Sequence, residues 1–301
     1  MNGAQRLIQT LVANGVDLVV GNPGTSEMQF VHALDFSSKV RAVLALFEGV
    51  VTGAADGYGR MADRPAATLL HLGPGLGNGL ANLHNARRAR TPIVNVVGDH
   101  ATYHRQFDAP LNSDIESVAR TVSGWVRTCP SAAEIGADTA AAVAAARSAP
   151  GQIATLVLPA DVAWSEAGGE PERAAPREPS RVPQAIVDEV AQVLRRGEPT
   201  ALLLGGSALR EAQLSVAGRI AKRASVRLLC DTFPARLERG AGRPKVERLP
   251  YFGEMILGML SGVRHLVLVG ARAPVAFFAF PGAPSVLVEL QILRHERMVL
   301  S

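Results

Sequence analysis

The sequence predicts an α/β fold made of two doubly wound parallel-sheet domains. Short apolar, strand-like segments alternate with helical ones along most of the 301 residues. Alanine, glycine, valine and leucine dominate and aromatic residues make up only 5%, which is typical of small-residue helices packed on parallel sheets. With 48% apolar residues the chain can bury a sizeable core, and its length favours about two domains.

The first domain is predicted over residues 1–164, with six strands that are short and mostly apolar, as strands covered on both faces should be. These strands lie at residues 18–20, 41–46, 67–72, 93–97, 125–129 and 153–158. Helices fill most of the gaps between them. The clearest is the segment 132–149, because alanine is the best helix former and a Pro-Gly pair follows it.

A second domain is predicted over residues 183–301, after a surface linker at 165–182 that is rich in Pro, Glu, Arg and Gly and lacks periodicity. The alternation then resumes, with helices at 183–196 and 208–224 and strands at 201–204, 227–230 and near 265–269. A new strand begins within 276–301, and no clear closing helix follows it. Either the last residues form a short helix, or the chain stops inside a domain.

Composition and charge argue against several classes of function. The formal net charge is +4, but the sequence contains no long basic run, and few aromatic side chains are available to stack on nucleic-acid bases. No nucleic-acid partner is therefore expected. Cys129 and Cys230 lack the spacing of a metal site and are expected to be buried thiols in a reducing compartment. No segment resembles a signal peptide or has the ~20 apolar residues that span a membrane. The sequence therefore predicts a cytoplasmic protein with no membrane partner.

Four glycine-bearing stretches, at residues 21–27, 48–49, 73–79 and 98–100, come where predicted strands end. Ligands of parallel sheets bind at the carboxyl ends of the strands, so these loops could converge on one site. Each loop alone could equally be a tight turn. No dinucleotide fingerprint is present, because Asn78 stands where its third glycine should fall, and neither a Walker phosphate loop nor a G-x-S-x-G elbow occurs.

Glu48 is the one carboxyl group among apolar neighbours at a predicted strand end. We expect it to lie with little water around it, at the end of a central strand and the start of a helix near Gly49. Burial disfavours the charged form of a carboxyl and a helix N-terminus favours it, and the sequence does not decide between them. Such a group suits proton exchange with a heterocyclic cofactor, or it accepts backbone amides at the helix start. The helix that follows is rich in glycine, each costing up to ~1 kcal/mol of helix propensity, which suggests a close approach such as a tight subunit interface.

Three stretches of the first domain occur in an order and spacing that resembles a known family. They are NPGTSE after the first strand, LALFEGVVTGAADGYGRMADRPA around Glu48, and HLGPGLGNGLANLHNARRARTPIVNVVGD. Residues 1–161 resemble the N-terminal pyrimidine-binding domain of thiamine-diphosphate enzymes, in particular the acetolactate synthase large subunit and benzoylformate decarboxylase. Residues 183–284 resemble the central domain of the same family more weakly, through LLLGGSALR and DTFPAR.

The resemblance implies roles for individual residues. The family's glutamate at the position of Glu48 hydrogen-bonds the aminopyrimidine ring of thiamine diphosphate and helps to remove the thiazolium C2 proton, after which a 2-oxo acid is attacked. His71 matches a histidine of benzoylformate decarboxylase and a threonine of acetolactate synthases. It could relay protons as a second catalytic residue, or it could be a strand-end histidine with no chemical role. The cofactor-binding residues implied are Pro23, Gly24, Thr25, Glu48 and Asn78.

At the level of function, the resemblance implies carboligation or decarboxylation of 2-oxo acids in the manner of acetolactate synthase. The alternatives are a lyase similar to benzoylformate decarboxylase and a non-catalytic partner subunit. The family holds the diphosphate and Mg²⁺ with a Gly-Asp-Gly motif that does not occur in these 301 residues. No metal ligand is therefore assigned, and the chain is expected to be a truncated product that is inactive alone. The family also implies a homodimer or homotetramer, and FAD could bind to the central domain.

Overall fold

The computed structural model describes residues 1–175 and 181–288, and the backbone of residues 293–298. The chain divides into two compact units, Met1–Pro179 (unit 1) and Ser180–Ser301 (unit 2). Each unit has its own sheet, and all strand pairs within both sheets are parallel. The predicted α/β class with two parallel sheets is confirmed.

Unit 1 alternates strands and helices from its first residues. Its strands are β1 (Leu18–Asn22), β2 (Arg41–Leu44), β3 (Ala66–Leu70), β4 (Ile93–Asp99), β5 (Trp125–Thr128) and β6 (Ile153–Pro159). Its helices are α1 (Gly3–Ala13), α2 (Met28–Leu34), α3 (Glu48–Ala62), α4 (Leu72–Ala89), α5 (Ile115–Arg120), α6 (Ile135–Arg147) and α7 (Ala160–Trp164). All six predicted strands exist, each within a few residues of its predicted bounds.

The order of the strands in unit 1 is β2-β1-β3-β4-β6-β5. The chain winds outward from β1 to β2 on one side and from β3 to β4 on the other. The boundary between β1 and β3 is therefore the topological switch point, where the loops after neighbouring strands diverge and leave a crevice. This crevice is the place where a doubly wound sheet is expected to bind its ligand.

Two hydrophobic cores lie on the two faces of this sheet. Side chains of α1, α2 and α6 form one core and those of α3, α4 and α5 form the other. Neighbouring residues of a strand point to opposite faces, so Leu69 contributes to the first core and Leu70 to the second. Strands buried on both faces explain the continuous apolar runs in the sequence.

The segment predicted as a surface linker, residues 165–182, begins as a part of unit 1. Ala167 is fully buried in the first core, and its backbone N–H donates to the carbonyl oxygen of Met1. The Arg6 guanidinium also forms an ion pair with Glu172. The first half of the segment is thus held against α1, which its lack of periodicity did not indicate.

Unit 2 is a smaller α/β unit. Its strands are β7 (Thr200–Leu204), β8 (Arg227–Cys230), β9 (Glu247–Arg248), β10 (His265–Val269) and β11 (Leu293–Met298), in the order β11-β10-β7-β8-β9. Its helices are α8 (Gln184–Arg195), α9 (Glu211–Ala224) and α10 (Gly253–Leu260). The strand expected within 276–301 is β11, whereas a closing helix would fall on residues outside the described ones.

One helix prediction in unit 2 was wrong in its start. The segment 208–224 is not one helix, because a 3-10 helix at Gly206–Leu209 is followed by Arg210 in an extended conformation, with φ −86° and ψ 155°. Helix α9 begins after this break. Among all the described residues, no helix combines the length and the apolar character needed to cross a membrane.

Both cysteines are free and buried, as the sequence predicted. Burial, and secondarily the neighbouring carboxylate of Asp138, raises the pKa of Cys129 to about 12. Burial raises the pKa of Cys230 to about 11. The reactive thiolate form of both side chains is therefore rare near neutral pH.

We expect neither thiol to react in the native protein. At pH 8 a thiol with a pKa three to four units higher is about 0.1 to 0.01% thiolate, so modification by a disulfide reagent should be at least about 100-fold slower than in denaturant. The rates are measured by absorbance with and without guanidinium chloride. A thiol that reacts in native buffer as fast as in denaturant would contradict the described burial.

Candidate functional site

The crevice at the switch point of unit 1 collects the loops that follow β1 and β3, together with the first turn of α4. The loop after β1 contains Pro23, Gly24 and Thr25 and continues into a 3-10 helix, Thr25–Glu27. The strand β3 leads through His71 directly into α4. The glycine-bearing loops of the sequence thus meet at the carboxyl edge of the sheet, as expected.

Glu48 is the first residue of α3 and is only 5% exposed. The side-chain amide of Asn78, on α4, donates a hydrogen bond of 3.0 Å from Nδ2 to Glu48 Oε2. Among the described residues, Glu48 accepts no backbone amide with its carboxylate. The alternative in which the Glu48 side chain only accepts backbone amides at the start of its own helix is therefore not observed.

The position of Glu48 in the sheet was predicted wrongly. The preceding strand, β2, is an edge strand rather than a central one. Leu44 and Leu46 are 70% and 90% exposed, so the apolar run before Glu48 does not signal burial. The side chain is covered by α4 instead. A Cβ atom built on Gly75 would lie 3.0 Å from Glu48 Oε1, so the glycine leaves space for the carboxylate.

The small residues of α3 bring it close to α4 of the same chain. Asn82 Nδ2 donates to the carbonyl oxygen of Gly49 at 2.7 Å, and Thr52 Oγ1 donates to that of Gly79 at 3.1 Å. A Cβ atom on Gly53 would lie 2.9 Å from Asn82 Nδ2. The close approach indicated by the glycines is thus made within the chain, by a neighbouring helix.

His71 lies at the end of β3 and pairs with a buried carboxylate. Its Nδ1 atom is 2.7 Å from Glu27 Oε2, and Glu27 is 1% exposed. The backbone N–H of Gly24 donates to the same oxygen at 2.8 Å. If this carboxylate is ionised it can only accept hydrogen bonds, and Nδ1 is then the donor, which in a neutral imidazole leaves the lone pair on Nε2. The next residue, Leu72, has a φ of +46°, a conformation that is strained for leucine and turns the chain sharply from β3 into α4.

Glycine is required on both sides of this pair. A Cβ atom on Gly24 would overlap the His71 ring, and one on Gly98, at the end of β4, would overlap Glu27 Oε1. Gly75 connects the two pairs, because its Cβ position would be 3.4 Å from His71 Cβ as well as next to Glu48. Gly75 therefore lies beside both the Glu48 carboxylate and His71, the partner of Glu27.

The structure brings together four of the six residues singled out from the sequence: Glu48 with Asn78, and His71 with Gly24. Pro23 and Thr25 belong to the same loop as Gly24, and neither has a described hydrogen bond to these four residues. The ligand-binding and catalytic roles of all six stay predictions.

Sequence reasoning missed Glu27. Glu27 is the last residue of the motif NPGTSE, which follows β1. It comes close to His71, which follows β3, only because β1 and β3 are neighbouring strands in the sheet. The signal would have been a carboxyl group a few residues after β1 and a histidine directly after β3. Asp99, at the end of β4, is a third buried carboxyl group at this edge of the sheet, after Glu48 and Glu27. It forms an ion pair with Arg105, and burial nevertheless raises its pKa.

The described residues offer no cluster of three or more metal-binding side chains of the His, Cys, Asp and Glu types. What the site offers a ligand is one buried carboxyl group with a free oxygen, a side-chain amide, and an imidazole with one nitrogen held by a carboxylate. These groups can hold a polar ring and exchange protons with it.

Residues 1–120 match the family described as thiamine pyrophosphate enzyme, N-terminal TPP binding domain. A Mycobacterium tuberculosis protein provisionally named acetolactate synthase large subunit IlvX is 62% identical over 290 residues, which are 96% of this chain and 55% of that protein. Benzoylformate decarboxylase of Pseudomonas aeruginosa is 30% identical over 201 residues, which are 65% of this chain and 38% of the enzyme.

Solved structures share the fold. The 4-hydroxybenzoylformate decarboxylase of Rhodococcus jostii RHA1 superposes with a TM-score of 0.85 at 22% identity, covering 98% of this chain and 56% of that one. Benzoylformate decarboxylase of Polynucleobacter necessarius gives 0.80 at 25% identity, covering 98% and 55%. The chain spans about half the length of these relatives. It carries the N-terminal domain of the thiamine-diphosphate-dependent enzyme family, as its motifs indicated.

We expect Gly98→Ala to break the Glu27–His71 pair. The added methyl group would overlap Glu27 Oε1, and overpacking of a buried site costs about 1–3 kcal/mol of unfolding free energy. Urea unfolding measures this loss, and the ¹⁵N shifts of the His71 ring report the lost hydrogen bond.

Gly77→Ala is the matched control. Gly77 lies within α4, and a Cβ atom there meets nothing within 4 Å. This variant should gain about 0.5–1 kcal/mol from helix propensity and leave His71 unchanged. If Gly98→Ala were as stable as the wild type with an unaltered His71 ring, the described packing of Glu27 would be wrong.

Proposed function

We propose that this chain forms the pyrimidine-binding part of a thiamine-diphosphate-dependent enzyme that acts on 2-oxo acids. The observation that supports this is the buried carboxyl group of Glu48, held by Asn78 through Oε2. Its Oε1 atom has no described hydrogen-bond partner and borders Gly75, where no side chain intervenes. A carboxyl oxygen left free beside a glycine suits a ring nitrogen as its partner.

Thiamine diphosphate, when bound, supplies an electron sink for bonds next to the carbonyl carbon of a 2-oxo acid. Glu48 Oε1 would hold and exchange a proton at the ring nitrogen, and Asn78 would keep the carboxyl group turned toward it. Because Glu48 is almost fully buried, few water molecules compete for this hydrogen bond, which strengthens it. Pro23, Gly24 and Thr25 would line the same crevice.

His71 would be the second group that moves protons, through Nε2. Glu27 holds Nδ1, which fixes the tautomer and orients the ring, much as a carboxylate does in other histidine sites. This pair favours a decarboxylase similar to benzoylformate decarboxylase as a second candidate. A decarboxylase must return a proton to the carbon that lost CO₂, whereas a carboligase forms a carbon–carbon bond in that step.

The acetolactate-synthase-like reaction remains the first candidate by relationship, since IlvX is 62% identical to this chain. The third candidate is a non-catalytic partner subunit. The three differ in product when the protein is assayed with thiamine diphosphate, Mg²⁺ and a polypeptide that carries a Gly-Asp-Gly motif. Acetolactate from pyruvate supports the first, benzaldehyde from benzoylformate the second, and neither product the third.

In this proposal the chain binds only the pyrimidine end of thiamine diphosphate. Mg²⁺ and the diphosphate would be held by other residues of the assembly, through the oxygen ligands that Mg²⁺ prefers. FAD is a further candidate for unit 2, and a yellow colour of the purified protein would support it. The two free cysteines suit a reducing compartment, so we propose the cytoplasm as the location.

We also propose a homodimer or homotetramer, because exposed apolar side chains surround Glu48. Leu44, Leu46, Phe47 and Val50 are all exposed, from the end of β2 to the first turn of α3, and exposed apolar patches of soluble proteins commonly mark interfaces. A second copy covering this patch would also exclude water from Glu48. Sedimentation equilibrium tests the idea, and a monomer at all concentrations would reject it.

Titration with thiamine diphosphate, followed by amide NMR, tests the site. At millimolar cofactor with Mg²⁺ we expect the signals of Glu48, Gly75 and Asn78 to shift, although binding is too weak for calorimetry because the chain has no Gly-Asp-Gly motif. Glu48→Ala should weaken binding about tenfold, as expected for one hydrogen bond to a charged group. Glu134→Gln, which changes a carboxyl group that precedes α6 and pairs with Arg127, should not weaken it. Shifts that map elsewhere, or that survive Glu48→Ala unchanged, would reject the proposal.

A further inference from the structure

Unit 2 exposes large apolar side chains at one edge of its sheet. They lie in the three segments that follow β8, β9 and β10, and the carboxyl ends of parallel strands meet at the same edge. We call this surface the aromatic face. The only other exposed large apolar side chain described in unit 2 is Val187, on α8. The members of the aromatic face are Phe233, Tyr251, Phe252, Met255, Val275, Phe277, Phe278, Phe280 and Val286.

Aromatic rings from all three segments contact one another. Tyr251 stacks on Phe277 with the ring centroids 4.7 Å apart. Phe233 meets both rings edge-on, at 6.3 and 5.6 Å, and Phe252 meets Tyr251 at 5.3 Å. The rings therefore form one continuous surface rather than a slot that could hold a flat ligand.

The backbone beneath the aromatic face is fixed by hydrogen bonds and by the core. Thr232 Oγ1 donates to the carbonyl oxygen of Pro250 at 3.0 Å, which ties the first two segments together. In the third segment the backbone N–H of Ala276 donates to the carbonyl oxygen of Ser285 at 2.9 Å, and Leu287 is buried in a hydrophobic core of unit 2. Rings on a fixed backbone lose less entropy when a partner covers them.

The aromatic face is large enough for a stable protein interface. Its six aromatic side chains are 40–69% exposed, and a fully buried aromatic residue hides about 150–250 Å², so each of the six leaves roughly 100 Å² in water. With the methionine and the two valines, the face offers on the order of 800 Å². The largest apolar patch of a typical monomer is smaller, about 300–600 Å². Each partner of a stable complex contributes about 800 Å², which the face can supply.

The aromatic face is also uncharged. No charged residue occurs in residues 232–235, 249–253 or 273–286, which carry all its members except Met255. A two-fold interface places a surface against its own copy, so a charge near the axis would meet the same charge. Aromatic rings avoid this repulsion, since they attract one another in both offset-stacked and edge-on arrangements. The face is therefore complementary to itself.

We propose that the aromatic face is a two-fold interface at which unit 2 binds unit 2 of a second copy of this chain. This interface is separate from the exposed patch near Glu48, which belongs to unit 1, and it does not depend on the cofactor site. The mutually packed rings of Phe233, Tyr251 and Phe277 form its centre. Aromatic residues at the centre of an interface commonly carry most of the binding free energy.

Sedimentation equilibrium of the full chain tests this without cofactor, in a Leu46→Glu background that places a charge in the patch of unit 1. We expect this variant to dimerise with a dissociation constant of about 1 μM or lower. The mass should stop at two copies, because a two-fold interface closes on itself. Since no cofactor is present, a failure of the proposed cofactor site would leave this result unchanged.

Adding Phe233→Glu and Phe277→Glu to this background should raise the dissociation constant at least about 30-fold, because two central rings are lost and like charges are brought together. Val187→Glu is the matched control. It makes the same change from an exposed apolar to an acidic side chain, on α8 and outside the face, and should alter the dissociation constant less than about twofold. Unfolding midpoints within error of the parent would show that both variants are folded.

Several results would overturn the proposal. The Leu46→Glu variant could stay monomeric at about 100 μM, its dimer could survive Phe233→Glu/Phe277→Glu, or Val187→Glu could weaken the dimer equally. Open-ended aggregates without a dimer plateau would show non-specific adhesion of the rings. A monomer that binds the Gly-Asp-Gly polypeptide or phosphatidylcholine vesicles, and loses that binding in Phe233→Glu/Phe277→Glu, would give the face a different partner.

Discussion

The hydrogen bond from Asn78 to Glu48 is the constraint on which the site depends. It joins the first residue of α3 to the second turn of α4, and it places a carboxylate where the edge strand alone would leave it in water. That bond requires the two helices to lie close together, which the glycines of both helices permit and the bonds from Asn82 and Thr52 secure. The unfavourable helix propensity of these glycines is thus offset by the packing they allow.

The second constraint is the switch point of the sheet. Because β1 and β3 are neighbours whose following loops run in opposite directions, Glu27 and His71 face each other across the crevice. Glu48 and His71 then both lie next to Gly75, and each side chain is hydrogen-bonded to a partner of its own. A fold of this type determines where the site lies, whereas the side chains in the site determine its chemistry.

Much of this arrangement was predictable from the sequence. Apolar runs separated by glycine located all six strands of unit 1, since strands buried on both faces leave that pattern, and the family's motifs singled out Glu48, His71 and Asn78. Other features were not predictable, because they depend on contacts distant in sequence. The order of the strands makes β2 an edge, the pairing of Glu27 with His71 follows from that order, and Arg210 interrupts a helix that periodicity alone would continue.

A crystal structure of the chain soaked with thiamine diphosphate tests the central claim most directly. The account predicts the aminopyrimidine ring in the crevice of unit 1, with a ring nitrogen at a hydrogen-bonding distance of about 2.6–3.2 Å from Glu48 Oε1 and with Asn78 still bonded to Oε2. A ring bound at another place, or a Glu48 carboxylate that turns away from it into solvent, would contradict the account.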